Sequence, residues 1–181
     1  MPTESPERGT ENAPLSLGAD SGTPGIALRP ALSQNSDAVA DLLWRVRQQS
    51  LDCIPAPVHS LEEMRRWMRA VAFVEYDVWL AEATEVLAGF MALRYPDWLE
   101  HLYIDAAATG AGLGSRLVDL AKSELGGRVQ LWTFASNLGA QRFYERHGFV
   151  AVQRTDGDNE EGRPDIRYLY PAPECRSPRA D

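Results

Sequence analysis

Apolar residues recur at helical spacing in two early blocks of the chain. Val39, Leu42, Leu43 and Val46 fall on one face of a helix that Ser33 is placed to cap and that ends near Leu51. Leu61, Met64, Trp67, Met68 and Val71 form the stripe of a second helix, opened by Ser60 and Glu63 at capping-box spacing. A short strand, GIALRP, precedes the first helix, and the loop DCIPAPVH separates the two. The pattern then changes to strands: VWLAEA (78–83) and VLAGFMALRY (86–95), joined through Thr84-Glu85 as in an antiparallel hairpin, then WLEHLYI up to Asp105. After the small-residue run AAATGAGLG, Leu113, Leu117, Leu120 and Ala121 mark the buried stripe of another helix. Strand RVQLWTF, helix NLGAQRFYERH, strand GFVAVQ and, past a polar loop, strand DIRYLY complete the order βααβββαβαββ. Such an order predicts an α/β protein of the α+β kind: a mixed, mostly antiparallel sheet of six to seven strands with helices on both faces.

The 181 residues, 44% of them hydrophobic, suffice for one core and are few for two. Residues 1–25 are rich in Pro, Gly, Ser, Thr and Glu and bury too little to offset their ordering entropy, so a disordered tail is expected there. The same holds for 171–181, where three prolines break any pattern, leaving 26–170 as the folded domain. A net charge of -8 argues against nucleic acid as the main partner. Cys53 and Cys175 form no metal-ligand spacing, and no other metal site is expected. The first residues lack a basic start followed by an apolar run, and eighteen apolar residues never occur in succession, so neither secretion nor a membrane partner is expected and the cytoplasm is the expected location.

The candidate chemistry starts at Thr109-Gly110-Ala111-Gly112-Leu113-Gly114, between a strand and an amphipathic helix. Glycines there let successive amides point into one concavity, and the helix adds its own unsatisfied amides, which together suit phosphate oxygen. A nucleotide P-loop is excluded, because no Lys-Ser/Thr pair follows in register. A dinucleotide fingerprint is disfavoured, because antiparallel strands rather than a βαβ repeat precede the turn. A tight packing turn without a ligand is the remaining alternative.

A second set of residues bears on the choice: Asn137, Ala140, Phe143-Tyr144-Glu145 and Gly148-Phe149. Together with Leu102-Tyr103-Ile104-Asp105, the glycine-rich turn and Leu117, they resemble the two signatures of the Gcn5-related N-acetyltransferase (GNAT) superfamily, in family order over about residues 26–155. The resemblance implies a splayed mixed sheet that holds the pantetheine arm of acetyl-CoA between two diverging parallel strands. It implies transfer of an acetyl group to a primary amine of a small molecule or peptide, and homodimers are common among such proteins. Thr109 stands where the family has Gln or Arg, and Ala111 where a basic residue is frequent. Those side chains reinforce the phosphate contact, so weaker coenzyme binding is expected, with Arg116 a partial substitute. The same departures motivate the alternative of a non-catalytic acyl-CoA-binding or regulatory module.

By resemblance, the coenzyme contacts fall on Leu102, Tyr103, Ile104, Thr109, Gly110, Ala111, Gly112, Leu113, Gly114, Ser115, Asn137 and Tyr144. Tyr144 matches the family's general acid, although a helix tyrosine packed on Phe143 satisfies the same pattern. Asn137 either contacts the coenzyme or caps its helix, or does both. The resemblance implies a general base, in several family members a carboxylate, on one of the two central strands; strand LWTF has no carboxylate, which leaves Glu100 and His101 as candidates. Alternation places Glu100 with Leu102 and Ile104, and His101 with Tyr103, unless a bulge intervenes. A strand amide near 102–104 is expected to meet the oxyanion.

The loop TDGDNEEGRPD carries Asp156, Asp158, Glu160 and Glu161, which would suit a cationic amine if they are more than a solvated turn. It is not a calcium loop, because the required glycine and final glutamate are missing. His59 and His147 have no partner in spacing, and a cation at His147 would suit its helix C-terminus. Trp44, Trp67 and the loop at Ile54 are open to two readings, core or acceptor pocket.

Overall fold

The structure, a computed structural model, describes residues 25–171. The expected tails at 1–24 and 172–181 lie outside the described residues. Seven strands form one sheet in the order β1-β2-β3-β4-β5-β7-β6: β1 Ile26–Pro30, β2 Asp77–Ala83, β3 Val86–Arg94, β4 Trp98–Ile104, β5 Val129–Phe134, β6 Val150–Thr155 and β7 Asp165–Tyr170. Every neighbouring pair is antiparallel except β4 and β5. The helices are α1 Ser36–Gln49, α2 Leu61–Trp67, α3 Phe73–Glu75, α4 Leu113–Glu124 and α5 Leu138–Arg146.

Strand alternation divides the core between the two faces. Met91 and Leu93 of β3 pack with Leu113, Leu117 and Val118 of α4, and with Tyr144 of α5. Phe90 and Ala92, one residue out of step, pack with Val39, Leu42 and Leu43 of α1, and with Met64 of α2. The helices therefore cover both faces, as the order of elements predicts.

Two local readings are corrected. Ser33 does not cap α1: it opens a short 3-10 turn, Ser33–Asn35, and the α-helix starts at Ser36, because Asn35 turns its side-chain oxygen back to the Leu32 amide at 2.9 Å. The second helix is interrupted: α2 runs into a π-turn, Met68–Ala72, before α3. Ser60 and Glu63 form the expected capping box, with the Ser60 amide donating to Glu63 Oε2 at 2.8 Å. Thr84 and Glu85 both take positive φ, as a two-residue hairpin turn requires.

β3 lies tightly against β4 at Gly89, where an added Cβ would fall 2.5 Å from Ile104 Cδ1 and 2.9 Å from the Tyr103 carbonyl oxygen. Any larger residue there would push β4 aside at the level of the candidate site.

Candidate active site

β4 and β5 pair only at Trp98 and Gln130, where the Gln130 amide donates to the Asp97 carbonyl at 2.8 Å. Beyond that pair the strands diverge, and a cleft of about 390 Å³ opens between them. Leu99, Glu100, Leu102 and Tyr103 line it from β4, with Trp132, Thr133 and Phe134 from β5. Asn137, Ala140 and Tyr144 line it from the α5 side, and Ile54 from the loop between α1 and α2. Of the expected site residues, the structure thus brings Glu100, Leu102, Tyr103, Asn137 and Tyr144 to one cleft.

The bulge that would disturb the alternation is present. Ala92 pairs with His101 and Leu93 with Leu99, which leaves Glu100 as the extra residue of β4. Leu99, Leu102 and Ile104 accordingly share the α4 face. His101 and Tyr103 share the α1 and α2 face, with Phe90 stacked on Tyr103 at 5.8 Å. Glu100 belongs to neither row. Its Oε1 accepts from Arg94 Nε at 2.6 Å.

His101 lines a second cavity, of about 510 Å³, on the α1 and α2 face. Burial among Trp67, Tyr76, Phe90 and Tyr103 pushes its pKa down to about 4, with the Arg47 cation adding to the shift. The ring is neutral at physiological pH. Tyr144 is buried against Phe143, Phe149 and Tyr168, and this desolvation raises its pKa well above the ordinary phenol value. It keeps its proton.

The glycine-rich turn sits at the start of α4. Gly110 and Gly112 have φ of +86° and +81°, and an added Cβ at either meets nothing within 4 Å, so their outer side is open. The Arg116 amide donates to the Gly112 carbonyl at 3.1 Å. The amides of Gly112, Leu113, Gly114 and Ser115 are therefore the four without an intrahelical acceptor. Behind the turn, Asp105 Oδ1 accepts from the Ala107 amide at 3.0 Å and Oδ2 from Arg45 Nε at 2.9 Å. The Ala107 amide first, and then Arg45, hold the Asp105 carboxyl below its usual range.

Three side chains here serve the protein's own packing. The Thr109 hydroxyl donates to the Asp105 carbonyl at 3.3 Å, so it braces the turn. The Ser115 hydroxyl lies 3.0 Å from His147 Nε2, while His147 Nδ1 lies 2.8 Å from the Phe143 carbonyl oxygen. His147 is thus a connector between α5 and α4 rather than an unpartnered cation at a helix end. Asn137 caps α5, its Oδ1 accepting from the Ala140 amide at 3.0 Å, while also facing the cleft.

Long-range partners were invisible in the sequence. Arg47 NH2 donates to Glu161 Oε1 at 2.6 Å across 114 positions, with each side chain only 12% exposed. His59 Nε2 lies 3.3 Å from Glu160 Oε2. Of the acidic residues in the loop between β6 and β7, Glu161 is therefore paired inside the protein, while Glu160 and His59 meet at the exposed surface. Asp165, buried at the start of β7, accepts from Thr155 and from Asn159 Nδ2.

The cleft has relatives. The profile of the acetyltransferase (GNAT) family matches residues 37–149. The chain belongs to this family. The GNAT domain is 31% identical over 137 residues to the mycothiol acetyltransferase of Kineococcus radiotolerans, which spans 69% of this chain and 43% of that protein. The chain thus covers less than half the length of that relative. Among solved structures, the apo form of Escherichia coli YjaB superposes with a TM-score of 0.65 at 22% identity, covering 80% of this chain and 97% of that one. The Salmonella typhimurium protein yncA, solved with acetyl-CoA, superposes with a TM-score of 0.60 at 17% identity, covering 87% and 99%. These likenesses establish the GNAT fold. No helix among the described residues is long and apolar enough to cross a membrane.

Proposed function

We propose that this GNAT protein is an N-acetyltransferase that moves the acetyl group of acetyl-CoA to a primary amine of a small molecule or peptide by direct attack. The observation that carries the reading is the cleft between β4 and β5, with Tyr144 in its wall and the open amides of α4 beside it. Family membership and the acetyl-CoA in the yncA structure support the donor. The name of the Kineococcus relative supports a small-molecule acceptor.

Bound there, acetyl-CoA supplies an activated acetyl group on sulfur. The amides of Gly110 and Gly112 to Ser115 hold the pyrophosphate by hydrogen bonds and the helix dipole. Amides on the β5-facing edge of β4, free past Trp98, hold the thioester oxygen. Leu99, Leu102 and Phe134 keep the acyl end dry. His101, neutral and facing the second cavity, takes the proton that the amine loses as its nitrogen bonds to carbon. Tyr144 gives its proton to sulfur as the carbon–sulfur bond breaks, and both residues return to neutrality through solvent. Glu100, its carboxylate engaged by Arg94, positions the bulge rather than taking the proton.

The test is thiol release from acetyl-CoA across a panel of amines and peptides, with the thermal midpoint followed in parallel. A raised midpoint and turnover are expected; no shift and no acceptor would end the proposal. A second reading, a non-catalytic acyl-CoA-binding module, is favoured by Thr109 bracing the turn and by Ala111 in place of a basic side chain. It predicts a raised midpoint with no thiol release.

A further inference from the structure

The second cavity differs in character from the cleft. Leu43, Met64 and Trp67 form its apolar wall, and the Trp67 ring meets the His101 ring edge-on at 5.6 Å between centroids. Its volume, about 510 Å³, lies in the range of small-molecule sites. It adjoins the cleft along β4: His101 lines the cavity, and its neighbour Glu100 and Tyr103, two residues on, line the cleft.

The mouth carries the carboxylates of Glu63, Glu160 and Glu161, which would suit a cationic amine or a polyamine if they were free. The structure has already engaged two of them, Glu161 and Glu63, and leaves Glu160 exposed at the rim. Glu161 is held by Arg47 at 2.6 Å, Glu160 lies 3.3 Å from His59, and Glu63 caps α2 through the Ser60 amide at 2.8 Å. A polyamine would compete with Arg47 for Glu161 and with the Ser60 amide for Glu63, would find only the solvent-screened Glu160 open to it, and would leave the apolar wall against water. A single amine on a ring-bearing apolar body satisfies both features. Its ring covers Trp67, Leu43 and Met64, and its one nitrogen reaches neutral His101 without a second buried cation.

We infer that the cavity is the acceptor site and that it selects a primary amine on an aromatic apolar body over a polyamine, with Trp67 as the specificity-determining residue. This rests on the proposed transfer reaction for bringing the amine beside the cleft.

The test is isothermal titration of the full chain, with and without coenzyme A, using 2-phenylethylamine and spermidine as probes. Phenylethylamine should bind about tenfold more tightly or better, and Trp67→Ala should lose about tenfold in its affinity, with Trp67→Phe intermediate. Should the Ala variant not fold, Trp67→Phe alone carries the comparison, with an expected loss of about threefold. Spermidine binding as tightly as phenylethylamine, or phenylethylamine affinity untouched by a folded Trp67 variant, overturns the inference. Phenylethylamine binding at Trp67 without thiol release from acetyl-CoA would instead overturn the transfer reaction and leave the binding preference standing.

Discussion

Trp98 and Gln130 form the one ladder pair between β4 and β5, and beyond them two parallel strands that would otherwise zip together part. The bulge at Glu100 begins two residues later and turns β4 away from the regular pleat. The cleft exists because pairing stops there. Its consequences can be measured.

The Tyr144 hydroxyl has no hydrogen-bond partner among the described residues, while its ring packs on Phe143, Phe149 and Tyr168. Tyr144→Phe keeps that packing. It should slow acetyl transfer by about a hundredfold or more and leave coenzyme binding and the thermal midpoint nearly unchanged. Unaltered turnover in a thiol-release assay would remove Tyr144 from the acid role.

Gly112 takes φ of +81° with open space before it, so Gly112→Ala costs about 1–2 kcal/mol for the left-handed conformation and puts a methyl group into the proposed phosphate site. Gly126, at the far end of α4, has φ of +67° and equally open space. Both variants should lose similar stability in urea. Only Gly112→Ala should weaken coenzyme binding, and equal losses of affinity would mean that the turn does not hold the phosphates.

His101 has its pKa pushed down by burial to about 4 from an ordinary value of 6.5. The unfolded chain takes up its proton near the ordinary value, the folded chain only near 4, so between these pH values the unfolded state binds more protons. Stability therefore falls as pH drops through that window and levels off below it, by at most about 3 kcal/mol, which solvent at the cavity trims. Urea midpoints at successive pH values should show this loss, and His101→Phe should flatten it. An equal pH dependence in the variant would assign the loss to other groups.

Arg47 and Glu161 join α1 to the loop between β6 and β7 in a nearly buried pair. Glu161→Ala strands the guanidinium and should cost about 3 kcal/mol, whereas Arg47→Met combined with Glu161→Met should recover most of that loss. Urea denaturation of Arg47→Met, Glu161→Met and the double variant gives the coupling. Additive losses would mean that the pair contributes nothing as a pair.

Much of the architecture was legible in the chain. The switch from helical to two-residue periodicity located the strands, the Ser60 and Glu63 spacing started α2, and the glycines after Asp105 marked the turn before α4. Such features depend on neighbours a few positions apart, which a sequence displays directly. The start of α1 differs from the reading with Ser33 as cap because Asn35 turns back to the Leu32 amide and the chain makes a 3-10 turn before Ser36.

The sequence by itself determined the turn at Gly110 and Gly112, the helix carrying Asn137 and Tyr144, and the choice of Glu100 and His101 as neighbours on one strand. Only the tertiary structure decided which way those neighbours face, because a bulge reverses parity through a backbone change that no residue type announces. Only it showed that Glu161 is engaged by Arg47 while Glu160 stays exposed beside His59, since groups about a hundred residues apart meet only when the sheet brings their segments together. Spacing along the chain sets local geometry; which charges remain free for a ligand depends on packing between distant segments.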